Sequence, residues 1–377
     1  MVAPTSPAIR PAVGALIEEA VAVRRDLHRH PELSTEERRT QRVILEKLRR
    51  LGLEDVRPAA DTGAIGLVRG ARPGPNLLWR ADIDALPLKE ETGLPFASED
   101  PGAMHACGHD GHVAIALAMA AALQSASGGR DSLAGTVRFA FQPAEERIGG
   151  ARRMIDEGIM DDPKVDRVVG LHIMADFPAG EVRVNPGPIF ADATHFRIII
   201  RGRGGHAAAP QETIDPVIVA AHAIVALQTV VSRNVDPGAT AVLSIGRLEA
   251  GARGNIIPDE AKMSGTVRTF EPDVRERILR RMDEILRGVA SAFGAECQFD
   301  HSTLPAVVND AACAALVERV AAELLGPERV GAARLTGADD MSLFLEAAPG
   351  AYFLLGGRNE EKGIVHPHHH AKFDFDE

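Results

Sequence analysis

The stretch Met104–His112 reads Met-His-Ala-Cys-Gly-His-Asp-Gly-His and carries three histidines, a cysteine and an aspartate within nine residues. Imidazole and thiolate groups are good ligands for zinc and similar transition metals. Cys107 and His109 are two positions apart, so in an extended segment their side chains point the same way, as a chelate needs. An aspartate beside them, such as Asp110, could orient an imidazole by hydrogen bonding. A glycine-broken loop before a helix is the structural alternative for this stretch taken alone.

Three further clusters supply metal-ligating side chains. Glu145 and Glu146 follow a predicted strand and a Gln-Pro pair, His172 follows another predicted strand, and four histidines lie near the end, namely His366, His368, His369 and His370. Taken singly, the acidic pair could be a solvated helix start, and the histidines could be core or surface residues. One glutamate could bind a metal while the other acts as general base, and spacing alone leaves open which does which.

Hydrophobic periodicity separates the chain into alternating elements. It predicts helices over residues 9–30, 34–51, 112–125, 150–158 and 310–324, and strands over 64–69, 76–80, 136–141, 165–171 and 351–355. Ser34 and Glu37 form the pattern of a capping box at the second helix. This order predicts an α/β fold with a mostly parallel sheet and helices on both faces. Ligands bind such sheets at the carboxyl ends of the strands, which is where the sequence places Asp82, Asp84, Glu145, Glu146 and His172.

The pattern changes between residues 187 and 302. Strands are predicted over 195–201, 240–249, 262–269 and 297–300, and helices over 216–231 and 273–293. The order strand, helix, strand, strand, helix, strand is that of a ferredoxin-like α+β unit. A chain of 377 residues also exceeds one comfortable core. We therefore expect a metal-binding catalytic domain of residues 1–186 and 303–377, with an inserted domain of residues 187–302.

Composition excludes several function classes. A net charge of -11 and 4% aromatic residues argue against nucleic acid or an anionic membrane as the partner. The longest apolar run, residues 113–123, is too short to span a bilayer. Three widely spaced cysteines do not indicate a disulfide framework, and the first residues lack the features of a signal peptide. We expect a reducing, cytoplasmic setting.

Five motifs occur in an order that resembles one known group. They are Arg80–Pro87 (RADIDALP), Met104–Asp110 (MHACGHD), Phe141–Glu146 (FQPAEE), Gly204–Pro210 (GGHAAAP) and Gly254–Pro258 (GNIIP). The sequence is similar to the di-metal amidohydrolases that include bacterial hippurate hydrolase and the plant auxin-conjugate hydrolases. These belong to the aminoacylase and glutamate carboxypeptidase superfamily. The resemblance runs from about His28 to the end of the chain.

The resemblance implies a role for each matching residue. The ligands of two divalent ions would be Cys107, His109, Glu146, His172 and His369. Glu145 would be the general base that takes a proton from the attacking water and passes it to the leaving nitrogen. Asp84 and Asp110 would support the ligands by hydrogen bonding. His369 is assigned because His369–Asp374 matches the family pattern His-x-Pro-x-aromatic-Asp, although Ala371 stands at the usual proline.

The resemblance also implies roles for the inserted domain, which serves as a lid and mediates dimers in this group. His206 would stabilise the oxyanion from the partner subunit, in a homodimer or a dimer-based homo-oligomer. Asn255 and Arg268 would hold the substrate carboxylate. Two features depart from the group: relatives usually continue beyond Glu377 into one more helix, and Asp339–Ser342 reads Asp-Asp-Met-Ser where relatives tend to have Glu-Asp-Phe-Ser.

The expected activity is metal-dependent hydrolysis of the amide bond in small N-acyl amino acids, with Mn, Zn, Co or Ni as the metal. Carboxypeptidase or dipeptidase action on small peptides and deacetylation of N-acetyl-diaminopimelate are alternatives within the same chemistry. A different class would use Cys107 as a covalent nucleophile with His109 or His172 as base. A third possibility is a binding protein that keeps the fold without the reaction. A chelator should abolish activity in the first class and spare it in the second.

Overall fold

The computed structural model describes residues 14–125 and 129–377, and the chain divides into two compact units. The first contains the chain up to Ile189 together with Val307–Ala333 and Asp339–Glu377. The second contains Phe190–Ala306 and the short segment Arg334–Ala338. We expected the inserted unit to begin at 187 and end at 302, and we did not expect the short segment.

The secondary structure of the described residues follows the α/β order. The helices are α1 (Ile17–Arg29), α2 (Arg38–Arg50), α3 (His109–Gln124), α4 (Gly129–Ser132), α5 (Gly150–Asp156), α6 (Pro216–Asn234), α7 (Pro272–Ala292), α8 (Ala311–Leu325) and α9 (Met341–Ala347). The strands are β1 (Glu54–Ala59), β2 (Gly63–Arg69), β3 (Arg72–Asp82), β4 (Ala134–Gln142), β5 (Arg167–Pro178), β6 (Val182–Arg183), β7 (Gly187–Phe190), β8 (Ala193–Arg201), β9 (Gly205–His206), β10 (Ala241–Ala250), β11 (Ile256–Ile257), β12 (Glu260–Thr269), β13 (Glu296–Leu304), β14 (Val307–Asn309), β15 (Val330–Gly331) and β16 (Gly350–Arg358).

The first unit is built on an eight-stranded sheet in the order β1-β2-β4-β3-β5-β16-β6-β15. Its centre, from β4 through β3 and β5 to β16, is parallel, and the prediction of a mostly parallel sheet is confirmed. β4 is buried at every position after its first, which is typical of a strand covered on both faces. No residue of α3 is exposed, because its apolar side chains share one core with Phe139 and Phe141 of β4.

Several predicted boundaries move. β5 continues to Pro178, whereas we expected it to stop before His172, so this histidine lies within the strand. The predicted start of the first helix at residue 9 lies outside the described residues. The capping box is wrong: Glu37, not Ser34, occupies the N-cap of α2, and neither side chain caps the helix. Ser34 Oγ instead donates to the Asp84 carboxylate, and the Glu37 carboxylate accepts the Ala144 N–H.

The second unit has a four-stranded antiparallel sheet in the order β10-β12-β8-β13, with α6 and α7. This is the predicted ferredoxin-like arrangement. By length and composition α6 is the one helix among the described residues that could cross a membrane. It buries Val219, Ala223 and Leu227 in the core that it shares with the sheet, as the core helix of a globular unit does.

The start of α5 lies against the loop that carries the paired glutamates, which allows a test of the fold. A Cβ at Gly150 would lie 1.7 Å from the carbonyl oxygen of Pro143, whereas a Cβ at Gly149 would meet nothing within 4 Å. We predict that Gly150→Ala costs about 1–3 kcal/mol through overpacking, with a drop of a few degrees in melting temperature. The adjacent Gly149→Ala variant is the matched control and should melt close to the wild type. Equal melting temperatures for both variants in a calorimetric scan would contradict this packing.

Candidate metal centre

Four segments of the first unit bring the predicted ligands together at the carboxyl end of its sheet. They are the residues before and at the start of α3, the loop after β4, the strand β5 and the C-terminal tail. Four overlapping groups have their ligand atoms within 4.8 Å of one another: Cys107, His109 and His172; Cys107, Glu146 and His369; His109, Glu145 and Glu146; and Asp82, His109 and His112. The overlap is what two neighbouring cations with shared ligands require.

His109 is oriented by Asp84. Its Nδ1 donates to the carbonyl oxygen of Asp84 at 2.9 Å and lies 3.2 Å from the carboxylate of the same residue. The other ring nitrogen, Nε2, is buried and has no hydrogen-bond partner among the described residues. A buried nitrogen of this kind suits a metal ligand, since the second nitrogen of a ligating histidine is usually held by a carboxylate or carbonyl.

Asp84 is itself held in place from two sides. Ser34 Oγ donates to its carboxylate at 2.6 Å, and the Glu146 N–H donates to the same oxygen at 3.0 Å. The buried carboxylate therefore couples the ligand His109 to the loop of ligand Glu146. This is the support that the sequence resemblance implied for Asp84.

His172 has one ring nitrogen directed toward the centre. Its Nδ1 donates to the carbonyl oxygen of Ile173 at 2.6 Å, and its Nε2 lies 3.5 Å from Cys107 Sγ. The carbonyl can only accept, so the geometry leaves Nε2 as the lone-pair nitrogen that faces the thiol. The ring is thus arranged in the tautomer that a cation would need.

His369 is the member of the terminal histidine cluster that joins a ligand group. Its Nε2 lies 3.4 Å from a carboxylate oxygen of Glu146, and its backbone N–H donates to the carbonyl of Ala106 at 2.8 Å. Its φ of 60° is left-handed, a conformation that L-residues rarely adopt. His368 points elsewhere and accepts the backbone N–H of Ala175 at 3.0 Å.

The electrostatics of the centre favour positive charge. Burial lowers the pKa of His109, but Asp82 and Asp84 outweigh burial and raise it to about 10. Burial and the nearby Glu146 and Glu145 raise the pKa of the Cys107 thiol well above its ordinary value. Without a cation these groups therefore hold protons, and a cation with a thiolate ligand would replace them. The donor set of one sulfur, three imidazoles and carboxylates fits a transition metal such as Zn²⁺ or Mn²⁺.

Glu145 lies on the other side of the same loop, in a pocket of buried carboxylates. Its carboxylate, with those of Asp339 and Asp340, forms a group whose oxygens lie within 4.8 Å of one another. Burial, with Asp339, Asp340 and Glu146, raises the pKa of Glu145 well above its ordinary value. Sequence spacing did not separate the two glutamates, whereas the structure gives them different surroundings.

A buried arginine underlies this pocket, and sequence analysis assigned it no role. Arg80 is buried, with 1% of the residue exposed. Its hydrogen-bond and ion-pair partners are Asp82, Gln142, Asp339, Asp340 and Tyr352. The signal in the sequence was an arginine directly after the apolar residues Leu77, Leu78 and Trp79 of a predicted strand, since such a charge must be paired when buried.

Asp110 does not contact the five candidate ligands through any hydrogen bond among the described residues. Its carboxylate accepts from His28 Nδ1 at 2.8 Å and from Arg24 Nε at 2.9 Å. It therefore ties the start of α3 to α1. Any support that it gives to the ligands passes through the position of α3.

The predicted lid residues all lie in the second unit. His206, at the end of β9, is exposed, and its Nδ1 accepts the Ala208 N–H at 3.0 Å. Asn255 lies close by, since its carbonyl accepts the Ala207 N–H at 3.2 Å. Arg268 is on β12 and donates to the carbonyl of Val267 at 3.1 Å. Their roles at the metal centre remain predictions.

With this geometry described, comparisons with known proteins identify the family. The sequence model of peptidase family M20/M25/M40 matches residues 78–377. The chain belongs to this family. It is 40% identical to thermostable carboxypeptidase 1 of Saccharolobus solfataricus, over 95% of this chain and 90% of the relative. It is 41% identical to an N-acetylcysteine deacetylase of Bacillus subtilis, over 95% of this chain and 92% of the relative.

A solved structure extends the comparison to the metal. The Bacillus subtilis YXEP protein, described as a dinuclear metal-binding peptidase of the M20 family, aligns with a TM-score of 0.83 at 36% identity, over 96% of this chain and 94% of that one. The prediction of a metal-dependent hydrolase is therefore confirmed for this M20-family chain. The prediction of two divalent ions is confirmed at the level of the family, and the residues present fit them.

The state of Cys107 gives a direct test of its ligand role. In the metal-free enzyme its raised pKa keeps the thiol protonated, so alkylation by iodoacetamide should be slow at neutral pH and rise about tenfold per pH unit. In the cobalt-loaded enzyme we predict no such rise, because the sulfur is already bound. Mass spectrometry resolves the rate at each cysteine, and Cys297 and Cys313 serve as internal controls that should ignore the metal. Equal rates at Cys107 with and without metal across the pH range would exclude it as a ligand.

Proposed function

We propose that this M20-family enzyme hydrolyses the amide bond of small N-acyl amino acids and releases a carboxylic acid and an amino acid. The observation that supports this best is the set of overlapping groups of ligand atoms, in which buried Glu145 lies next to Glu146 and is proposed as the base instead of a ligand. The N-acetylcysteine deacetylase among its relatives supports the substrate class. Within it we propose the finer hippurate hydrolase and auxin-conjugate hydrolase group, on the five sequence motifs.

The residues of the first unit divide the reaction between them. When bound, two divalent ions supply Lewis acidity that polarises the amide carbonyl and acidifies water. Glu145 accepts a proton from the attacking water and delivers it to the leaving nitrogen. Burial and the carboxylates around Glu145 raise its pKa, which favours holding that proton until the amide bond breaks. The rings of His109 and His172 are held by the carbonyl oxygens of Asp84 and Ile173, and the Glu146 N–H donates to the Asp84 carboxylate.

The alternative with a cysteine nucleophile is disfavoured by the surroundings of Cys107. An activated cysteine needs nearby positive charge that lowers its pKa. Burial and two glutamates instead raise the pKa of this thiol. A binding protein without the reaction would have no need of a buried general base. Three free thiols in the structure agree with the proposed cytoplasmic location.

Peptidase activity is a second candidate, favoured by the 40% identity to a carboxypeptidase. The same amide chemistry would then act on a peptide bond next to a free carboxylate. N-acetyl, N-benzoyl and indole-acetyl amino acids, N-acetyl-diaminopimelate and matched dipeptides, assayed with Mn, Zn, Co and Ni, separate the candidates by kcat/KM. A higher kcat/KM for dipeptides than for N-acyl amino acids would identify peptides as the substrate instead.

Exchange of each glutamate tests the division of roles. We predict that Glu145→Gln keeps two bound metals, measured by elemental analysis, and loses on the order of 100- to 10,000-fold in kcat because the proton acceptor is gone. Glu146→Gln should instead lose metal. The two variants are matched controls for one another, being adjacent and changed in the same way. Equal metal loss in both would overturn this assignment, and full activity after EDTA treatment would overturn the metal-dependent reaction.

We propose that the second unit mediates a homodimer and completes the active site. β10 is an edge strand whose outward positions include exposed Val242 and Leu248. α6 also exposes Ile218 and Val225, which are 47% and 72% exposed. Unpaired backbone on an edge strand beside apolar side chains is a surface that another strand can extend.

Complementation tests whether His206 acts across this dimer. If it serves the partner subunit, inactive His206→Ala and inactive Glu145→Gln proteins form a mixed dimer with one intact site. We predict that mixing with subunit exchange restores about one quarter of wild-type activity, since half of the randomly assorted dimers are mixed. Labelled subunits confirm exchange independently. Confirmed exchange without recovery would mean that His206 does not act in trans.

A further inference from the structure

β5 extends beyond the end of its neighbour β3, and histidines take over as its backbone partners there. Pairing of β5 with β3 runs from Arg167 to Gly170, while β16 pairs with β5 as far as Pro178. Beyond Gly170, where the pairing with β3 ends, the N–H of Ile173 donates to His112 Nε2 at 2.8 Å. The N–H of Ala175 donates to His368 Nε2 at 3.0 Å.

These two imidazoles accept the N–H groups of β5 that a neighbouring strand would otherwise accept. Ile173 and Ala175 are two residues apart on a strand, so their N–H groups point to the same side. A buried backbone N–H without an acceptor costs about 1–3 kcal/mol. An imidazole that accepts at Nε2 must carry its proton on Nδ1. For His112 this proton is donated to Asp82, whose Oδ1 lies 2.5 Å from Nδ1.

We propose that His112 is a positioning residue for the ligand His172, acting through the peptide groups of Ile173. The N–H of Ile173 is bound by His112, and its carbonyl accepts from His172 Nδ1 at 2.6 Å. One residue of the strand therefore transmits the position of His112 to the ring of His172. The ring that results presents Nε2 toward Cys107 Sγ at 3.5 Å.

The relay starts from groups that do not move easily. The side chains of Asp82 and Arg80 are fully buried, and Asp82 Oδ2 lies 2.5 Å from Arg80 Nη1. Arg80 Nη2 also lies 3.0 Å from Asp340 Oδ1. A buried ion pair loses much energy if one partner is displaced. His112 thus connects this ion pair to His172, and the same ion pair borders the pocket of Glu145.

Packing alone would also explain a buried histidine, since the rings of His112 and His172 lie 4.8 Å apart at 73°. The two explanations differ in what a substitution does. An asparagine at position 112 can reach the place of Nδ1 and keep the bond to Asp82, but it leaves the Ile173 N–H without an acceptor. A glutamine reaches the place of Nε2 and can accept from Ile173.

The test measures metal binding in His112→Asn, His112→Gln and the wild type, by competition with a chelator for Co²⁺, together with the visible spectrum of the cobalt protein. Val113→Ala, a buried truncation in the same helix, is the control for loss of stability alone. We expect His112→Asn to weaken cobalt binding about 10- to 100-fold and to change the spectrum. His112→Gln should stay within a few-fold of the wild type, and Val113→Ala should keep both affinity and spectrum while melting earlier.

Wild-type affinity and spectrum in His112→Asn, with only its melting temperature lowered, would overturn the proposal. If that variant does not fold, His112→Gln decides alone, and a loss of more than about tenfold in affinity would overturn it. The inference rests on the proposed metal centre and not on the proposed substrate, because the cobalt-binding assay contains no substrate. A wild type that binds cobalt without hydrolysing any amide contradicts the function only, and one that binds no cobalt contradicts the centre and the relay together.

Discussion

The ion pairs of the buried Arg80 guanidinium are the interaction on which the metal-centre end of the first unit depends. A charge in the interior persists only if it is paired, and Arg80 has carboxylates on two sides. Asp82 on one side leads to His112 and the strand of ligand His172. Asp340 on the other side, held by Gln142 at 2.7 Å, borders the pocket of Glu145. The proposed general base Glu145 and the proposed ligand His172 therefore share one anchor, which fixes their separation.

That anchor also explains why the site needs cations. One arginine faces Asp82, Asp339, Asp340 and Glu145, and the ligands add a further carboxylate and a thiol. Burial, together with the negative charge of Asp339, raises the pKa of Asp340 to about 7 although Arg80 opposes the rise. Bound protons relieve this surplus of negative charge in the absence of metal, and divalent ions relieve it more strongly. The same repulsion that would destabilise an empty pocket thus becomes part of the binding free energy of the metals.

Residue type and spacing singled out Cys107, His109, His172 and the pair of glutamates, and the resemblance chose Glu146 and His369 as candidate ligands. The structure brings the ligand atoms of these candidates together in overlapping groups. The supports were not found, because their roles depend on contacts between distant segments. Ser34 and Glu37 matched a helix cap in sequence, but Asp84 and the Ala144 N–H are the partners that the fold brings to them. The role proposed for His112 follows from the offset between β3 and β5, because β5 continues after its pairing with β3 has ended and periodicity does not reveal such an offset.

The different surroundings of the adjacent Glu145 and Glu146 come from one strained turn. Ala144 has a φ of 52°, and its N–H donates to Glu37 at 2.8 Å. A left-handed alanine costs on the order of 1 kcal/mol, so it persists where the surroundings hold it. The Glu146 N–H is bound to Asp84 just beyond the turn. A regular extended backbone would also place the side chains of Glu145 and Glu146 on opposite faces. It would, however, continue β4 instead of ending it before the two glutamates. The turn ends β4 and lets Glu145 enter the carboxylate pocket while Glu146 faces His369, so that one loop supplies both the proposed base and a proposed ligand.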